Sequence, residues 1–67
     1  MIINNISVLL GKNRLTIAET AKIANVKYST VKNLYYDKTK SIDFETMNKL
    51  CFALDCKPGD LFTYLPD

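Results

Sequence analysis

The chain has 67 residues, a hydrophobic fraction of 48% and a charged fraction of 24%, a balance that excludes disorder and leaves room for one small domain. Its formal net charge of +2 is too small to name a partner, and it contains no histidine. With no glycine-rich phosphate loop and no nucleophile beside a base, catalysis is not expected and no cofactor is called for.

The opening residues, Met1-Ile2-Ile3-Asn4-Asn5, lack the basic start and long apolar run of a signal peptide. No apolar stretch approaches the ~18 residues needed to cross a bilayer, so a soluble cytoplasmic protein is expected, with no membrane partner. Ile2, Ile3, Ile6, Leu9 and Leu10 fall at helical spacing and predict a first helix from about Ile2 to Lys12. Asn13 is the expected stop, since asparagine tolerates the left-handed conformation, and Leu15 is expected to return to the core.

Thr16-Ile17-Ala18-Glu19 reads as a capping box: the threonine hydroxyl accepts from the Glu19 amide and the Glu19 carboxylate reaches back to the Thr16 amide. A second helix from Ile17 to Ala24 follows. Asn25 sits where the chain must turn sharply. A third helix is predicted from about Tyr28 to Tyr36, with Val31 and Leu34 on its inner face and Tyr35 sealing the core. Asp37-Lys38-Thr39-Lys40-Ser41 is polar and reads as a loop.

Asp43 is a good N-cap for a fourth helix through Leu54. Phe44, Met47, Leu50, Cys51 and Leu54 make its expected inner stripe. Core packing is therefore the expected role of Cys51. Cys51 and Cys56 alone cannot close a tetrahedral zinc site, and a disulfide is not expected in a reducing compartment. Lys57-Pro58-Gly59-Asp60 opens a short fifth helix, anchored by Leu61 and Phe62, with proline in the first turn where its missing donor does no harm. Only Phe62-Thr63-Tyr64-Leu65 has an extended character. The expected fold is all-α: one domain over residues 1–67, with the helix pair at about 16–36 and closing helices and tail at about 43–67.

Charge is divided along this order. Residues 1–40 hold Lys12, Arg14, Lys22, Lys27, Lys32, Lys38 and Lys40 against Glu19 and Asp37, a balance of +5, whereas residues 41–67 balance at −3. The basic part can approach phosphates by releasing their counterions. It contains two short helices, a tight turn, and the small Ala21 where the helices must cross, which are the geometric needs of a helix-turn-helix.

The run Thr16-Ile-Ala-Glu-Thr-Ala-Lys-Ile-Ala-Asn-Val-Lys-Tyr-Ser-Thr-Val-Lys-Asn-Leu resembles the helix-turn-helix of the lambda repressor and Cro-like proteins. The stretch from Ile42 to Phe62, with Glu45-Thr46, Leu50, Ala53-Leu54 and Asp60-Leu61-Phe62, is similar to the closing helices of the same family. The resemblance implies a compact five-helix domain. It also implies a repressor-like regulator that binds double-stranded operator DNA, usually as a homodimer, with the third helix in the major groove. Four positions depart from the family pattern. Asn25 replaces the usual turn glycine, Ile17 a phosphate-contacting glutamine, Lys27 a Ser or Thr cap, and Thr20 a large apolar residue.

With Val31 and Leu34 facing inward, the exposed base-reading candidates are Tyr28, Ser29, Lys32 and Asn33. Lys32 can donate to guanine and Asn33 can pair bidentately with adenine. Thr16, Lys27, Tyr36, Lys38 and Lys40 flank that helix and are the phosphate candidates. Phe52, Phe62, Tyr64 and Leu65 are apolar material for a dimer interface, unless the tail folds back over its own core. The alternative function is an antitoxin-like adaptor or protein-interaction module that keeps the fold. Binding to generic duplex at two salt concentrations separates the two, because an adaptor should show no salt slope.

Overall fold

A computed structural model describes all of residues 1–67. The helices are α1 (Ile6–Asn13), α2 (Ile17–Ala24), α3 (Tyr28–Tyr35), α4 (Phe44–Leu54) and α5 (Pro58–Leu61), and two short strands, β1 (Ile2–Asn4) and β2 (Phe62–Tyr64), join the ends of the chain. The strands pair antiparallel, with Ile2 opposite Tyr64 and Asn4 opposite Phe62. The fold is therefore helical with a small two-stranded sheet, not all-α.

That sheet corrects the expected start of the first helix. Ile2 and Ile3 are β-branched and fit a pleated ribbon. The Asn4 side chain then accepts from the Ile6 amide at 2.9 Å, so the helix begins beyond it. The extended character read at Phe62–Leu65 is present through Tyr64, and its partner is the segment expected to be helical. Phe62 accordingly begins β2 and does not lie in α5.

Leu10, Ala21, Ala24, Val31, Leu34, Leu50, Leu54, Leu61 and Ile6 form the buried core. All five helices contribute to it, so each is held by its apolar face more than by its own short length. Leu15, Val26, Met47, Cys51 and Phe62 are half-buried against this core. Phe44 is not: it is 87% exposed, as is Phe52 at 78%. Phe44 is the first residue of α4 and turns outward, and Met47 begins the inner stripe. Tyr35 is also outside the core, exposed and packed edge-on against Tyr36 with ring centroids 5.0 Å apart.

Four helices close through a left-handed residue: Arg14, Asn25, Asp37 and Asp55, all with φ between 49° and 57°. Each closure carries the paired hydrogen bonds of a Schellman motif, such as Leu15 N–H to the Leu10 carbonyl at 2.9 Å and Cys56 N–H to the Cys51 carbonyl at 3.0 Å. Asn13, the expected stop, remains in α1 and its side chain donates to the Leu9 carbonyl at 2.8 Å. Neither Gly11 nor Gly59 has positive φ. Cys51 and Cys56 are free thiols. Burial, and then the adjacent Cys51, push the Cys56 thiol up to about 11, which keeps it protonated and unreactive.

Candidate nucleic-acid interface

The predicted capping box forms in full. The Thr16 hydroxyl accepts from the Glu19 amide at 3.1 Å, and the Glu19 carboxylate accepts from the Thr16 amide at 2.9 Å. The hydrogen bonds from the Thr16 backbone and then its side chain hold the Glu19 carboxyl below its ordinary value. Thr20, fully buried, donates its hydroxyl to the Thr16 carbonyl at 2.9 Å. A polar residue at an apolar position is tolerated because it is satisfied.

The turn rests on Asn25, at φ 57° and ψ 48°. Beyond it the Val26 amide donates to the Ala21 carbonyl at 3.0 Å. Ala21 itself is buried; its single methyl lets α3 pack closely on α2. Val31 and Leu34 point into the core, which fixes the rotation of α3 and turns its other face outward.

On that outer face Tyr28, Ser29, Lys32 and Asn33 are all exposed. None of the four side chains makes a hydrogen bond or ion pair within the chain. Their donors and acceptors are free for another molecule. Lys27 occupies the cap position of α3 in an extended conformation with no side-chain cap. The Lys27 carbonyl accepts from Thr30 and Val31 at 3.0 and 3.4 Å. The amides of Tyr28 and Ser29 lack a protein acceptor, the arrangement that suits a phosphate oxygen.

The flanking candidates gather around this face. Asn33, Thr39, Lys40 and Thr46 line one groove between α3 and the following loop, so Lys40 stands beside Asn33. Lys27 and Thr30 line the adjoining cleft with Thr46 and Lys49 of α4. Tyr36 is 56% exposed just past α3. Lys38 is exposed, with its amide anchored to the Asn33 carbonyl at 2.8 Å. Thr30, Thr46 and Lys49 were not anticipated. Lys49 lies in the acidic part of the sequence, and its i,i+4 spacing from Glu45 gives a surface pair of 3.3 Å; no local signal places it near the turn.

The sheet supports the far end of α3. Asn4 donates its side-chain amide to the Leu34 carbonyl at 2.6 Å. The charge separation also survives folding. The two ion pairs present are Lys49–Glu45 and the Met1 amino group with Asp67. All seven basic side chains of residues 1–40 are therefore unpaired.

The four residues expected to form a dimer interface are not equivalent. Phe62 is half-buried against the core. Tyr64 and Leu65 remain 65% and 48% exposed, but their backbone lies along the first residues, with the Leu65 amide donating to the Met1 carbonyl at 2.8 Å. Phe52 projects separately from α4.

Comparison with known proteins agrees with this geometry. The family model for the Cro/C1-type HTH DNA-binding domain matches residues 5–67. The chain is also similar to the uncharacterized HTH-type transcriptional regulator YozG of Bacillus subtilis (strain 168). The two are 33% identical over 66 residues, which is 98% of this chain and 79% of the relative.

Proposed function

The chain belongs to the Cro/C1-type helix-turn-helix DNA-binding family, and we propose that it is a repressor-like transcriptional regulator that reads operator DNA through α3. The observation that carries this reading is the outer face of α3, where Tyr28, Ser29, Lys32 and Asn33 are exposed and unpartnered. Unpaired cations surround that face.

In this reading α3 lies in the major groove. Asn33 reads adenine and Lys32 reads guanine; Tyr28 and Ser29 contact base edges or the adjoining backbone. Thr16, Lys27, Tyr36, Lys38 and Lys40 contact phosphates and set the register. The cap that Lys27 fails to provide, a deficit of about 1 kcal/mol, leaves amides free for a phosphate. No helix is long and apolar enough to cross a membrane; we place the protein in the cytoplasm, with free thiols and access to duplex DNA.

One recognition helix touches few base pairs, too few to stand out against a genome of competing sites. We therefore propose that it acts as a homodimer on an inverted repeat, which sets two reading helices on one face of the duplex. Selection of bound sequences from a random duplex pool tests the whole reading. The expected result is an enriched motif with two-fold symmetry and an affinity that falls steeply with salt. Failure to enrich any motif, with no salt-dependent binding to generic duplex, would overturn it.

A further inference from the structure

Helix α4 exposes an apolar stripe that its own chain does not use. Phe44 is 87% exposed and Phe52 is 78% exposed. Asn48 lies midway between them and is also exposed. The three residues are spaced four apart, so they share one face of the helix. Two phenylalanines left open on so small a domain are an anomaly, since aromatic side chains are its largest carriers of apolar area.

We infer that this stripe is a two-fold interface with a second copy of this chain, α4 packing antiparallel on α4 about an axis at Asn48. The inference rests on the proposed homodimer and names its surface. The stripe is its own complement. Reversing the helix about Asn48 places Phe44 of one copy opposite Phe52 of the other, twice, and sets the two Asn48 amides face to face. That is the isologous arrangement a closed dimer requires.

Charge favours the same arrangement. Glu45 beside the stripe is paired with Lys49 of its own helix at 3.3 Å, so the flank carries little net charge. Antiparallel packing sets the positive N-terminal end of each α4 against the negative C-terminal end of the other.

The area is consistent with a weak dimer. Phenylalanine rings bury roughly 150–250 Å² each, so two rings from each copy supply roughly 600–1,000 Å². Specific stable interfaces begin near 1,200 Å², and transient ones lie below. A dimer that forms at high protein concentration and tightens on a symmetric DNA site is the expected behaviour. Tyr64 and Leu65 are not needed for it.

Sedimentation of the full chain over a concentration series is the test. The parent should move from monomer to dimer. Phe52→Asp should raise the dimer dissociation constant by about 100-fold or more while its far-UV circular dichroism stays unchanged, because this side chain is exposed. Mixing gives the sharper result. In a heterodimer of Phe44→Lys with Phe52→Asp, one Phe–Phe contact survives and the new ammonium meets the new carboxylate. The equimolar mixture should therefore associate more tightly than either variant alone. A parent that stays monomeric, a Phe52→Asp variant that dimerises like the parent, or a mixture no tighter than its components would overturn the inference. Loss of association in Leu65→Asp but not Phe52→Asp would place the interface on the tail and overturn it equally. DNA binding is read separately on a half-site. A Phe52→Asp monomer that still prefers the half-site leaves the reading role intact whatever the fate of this interface. A parent that dimerises as described yet shows no DNA affinity removes the reading role and leaves the interface standing.

Discussion

The outer faces of α3 and α4 are both unpartnered, but in opposite ways. Helix α3 turns out Tyr28, Ser29, Lys32 and Asn33, side chains rich in donors and acceptors. Helix α4 turns out Phe44 and Phe52 around a single amide, Asn48. In each case the inward residues, Val31 with Leu34 and Leu50 with Leu54, fix the rotation and decide what is presented. A polar face costs nothing to leave in water and gains by meeting a polar polyanion. An apolar face gains only by meeting another apolar surface. The domain thus presents two chemically different open faces on helices that share one core.

The strongest way to break this comparison is to move α3 itself. Ala21→Leu puts a larger side chain into the buried α2–α3 contact, at a cost of about 1–3 kcal/mol. In a domain of this size each kcal/mol lowers the melting temperature by about 4–8 °C. Thermal unfolding should show the drop, and DNA affinity should fall further than stability alone explains. A variant that melts and binds like the parent would mean that α3 is not positioned by this crossing.

Single side chains on the polar face separate reading from positioning. Asn33→Ala should cost roughly 1–3 kcal/mol on the best site and relax preference at one base pair. Lys38→Ala should instead weaken all sequences alike and reduce the salt slope by about 1. Titrations on the selected site and on scrambled duplex at several salt concentrations distinguish the two patterns. Unchanged selectivity in Asn33→Ala would remove its base-reading role.

Most of the helix-turn-helix was legible because its signals are local. The Thr16–Glu19 box, the left-handed Asn25 and the Val31–Leu34 spacing each act within a few residues. The opening strand was not legible for the opposite reason. Ile2-Ile3 fits a helical period as well as a strand, and the partner that decides between them, Phe62–Tyr64, lies at the other end of the sequence. The same holds for Lys49 beside Lys27, a neighbourhood made by α4 packing under the turn. Phe44 was misread because an aromatic residue at helical spacing is normally inward, and only the finished packing shows that Met47 takes that place.

The distant strand nevertheless touches α3, through Asn4. Its amide group donates to the Leu34 carbonyl at 2.6 Å and its oxygen accepts from the Ile6 amide at 2.9 Å. Asn4→Ala removes both, and the loss of two partly buried hydrogen bonds should destabilise by about 1–2 kcal/mol. Hydrogen exchange should report faster opening at the end of α3 and the start of α1, with the α2 cap at Thr16 unaffected. Equal protection in both proteins would show that the sheet does not support α3.

The smallest expected effects compare the closures of the helices. Left-handed residues with a Cβ are strained, least so for Asn and Asp, whose short polar side chains tolerate that region. Arg14, at φ 55°, has no such allowance. Gly11 lies three residues earlier inside α1, where an added Cβ would meet nothing within 4 Å, and there it only lowers helix stability. Arg14→Gly should therefore raise stability by about 0.5–1 kcal/mol, the relief of strain being partly offset by a more flexible unfolded chain. Gly11→Ala should add a similar amount, about 0.5–1 kcal/mol. Asn25→Gly, in the turn between α2 and α3, should change it by only a few tenths of a kcal/mol, about the spread of ordinary surface substitutions. Thermal melts of the three variants check the order. A gain at Asn25 equal to that at Arg14 would mean that the turn carries as much strain as the end of α1, and that asparagine is no better suited to it than arginine.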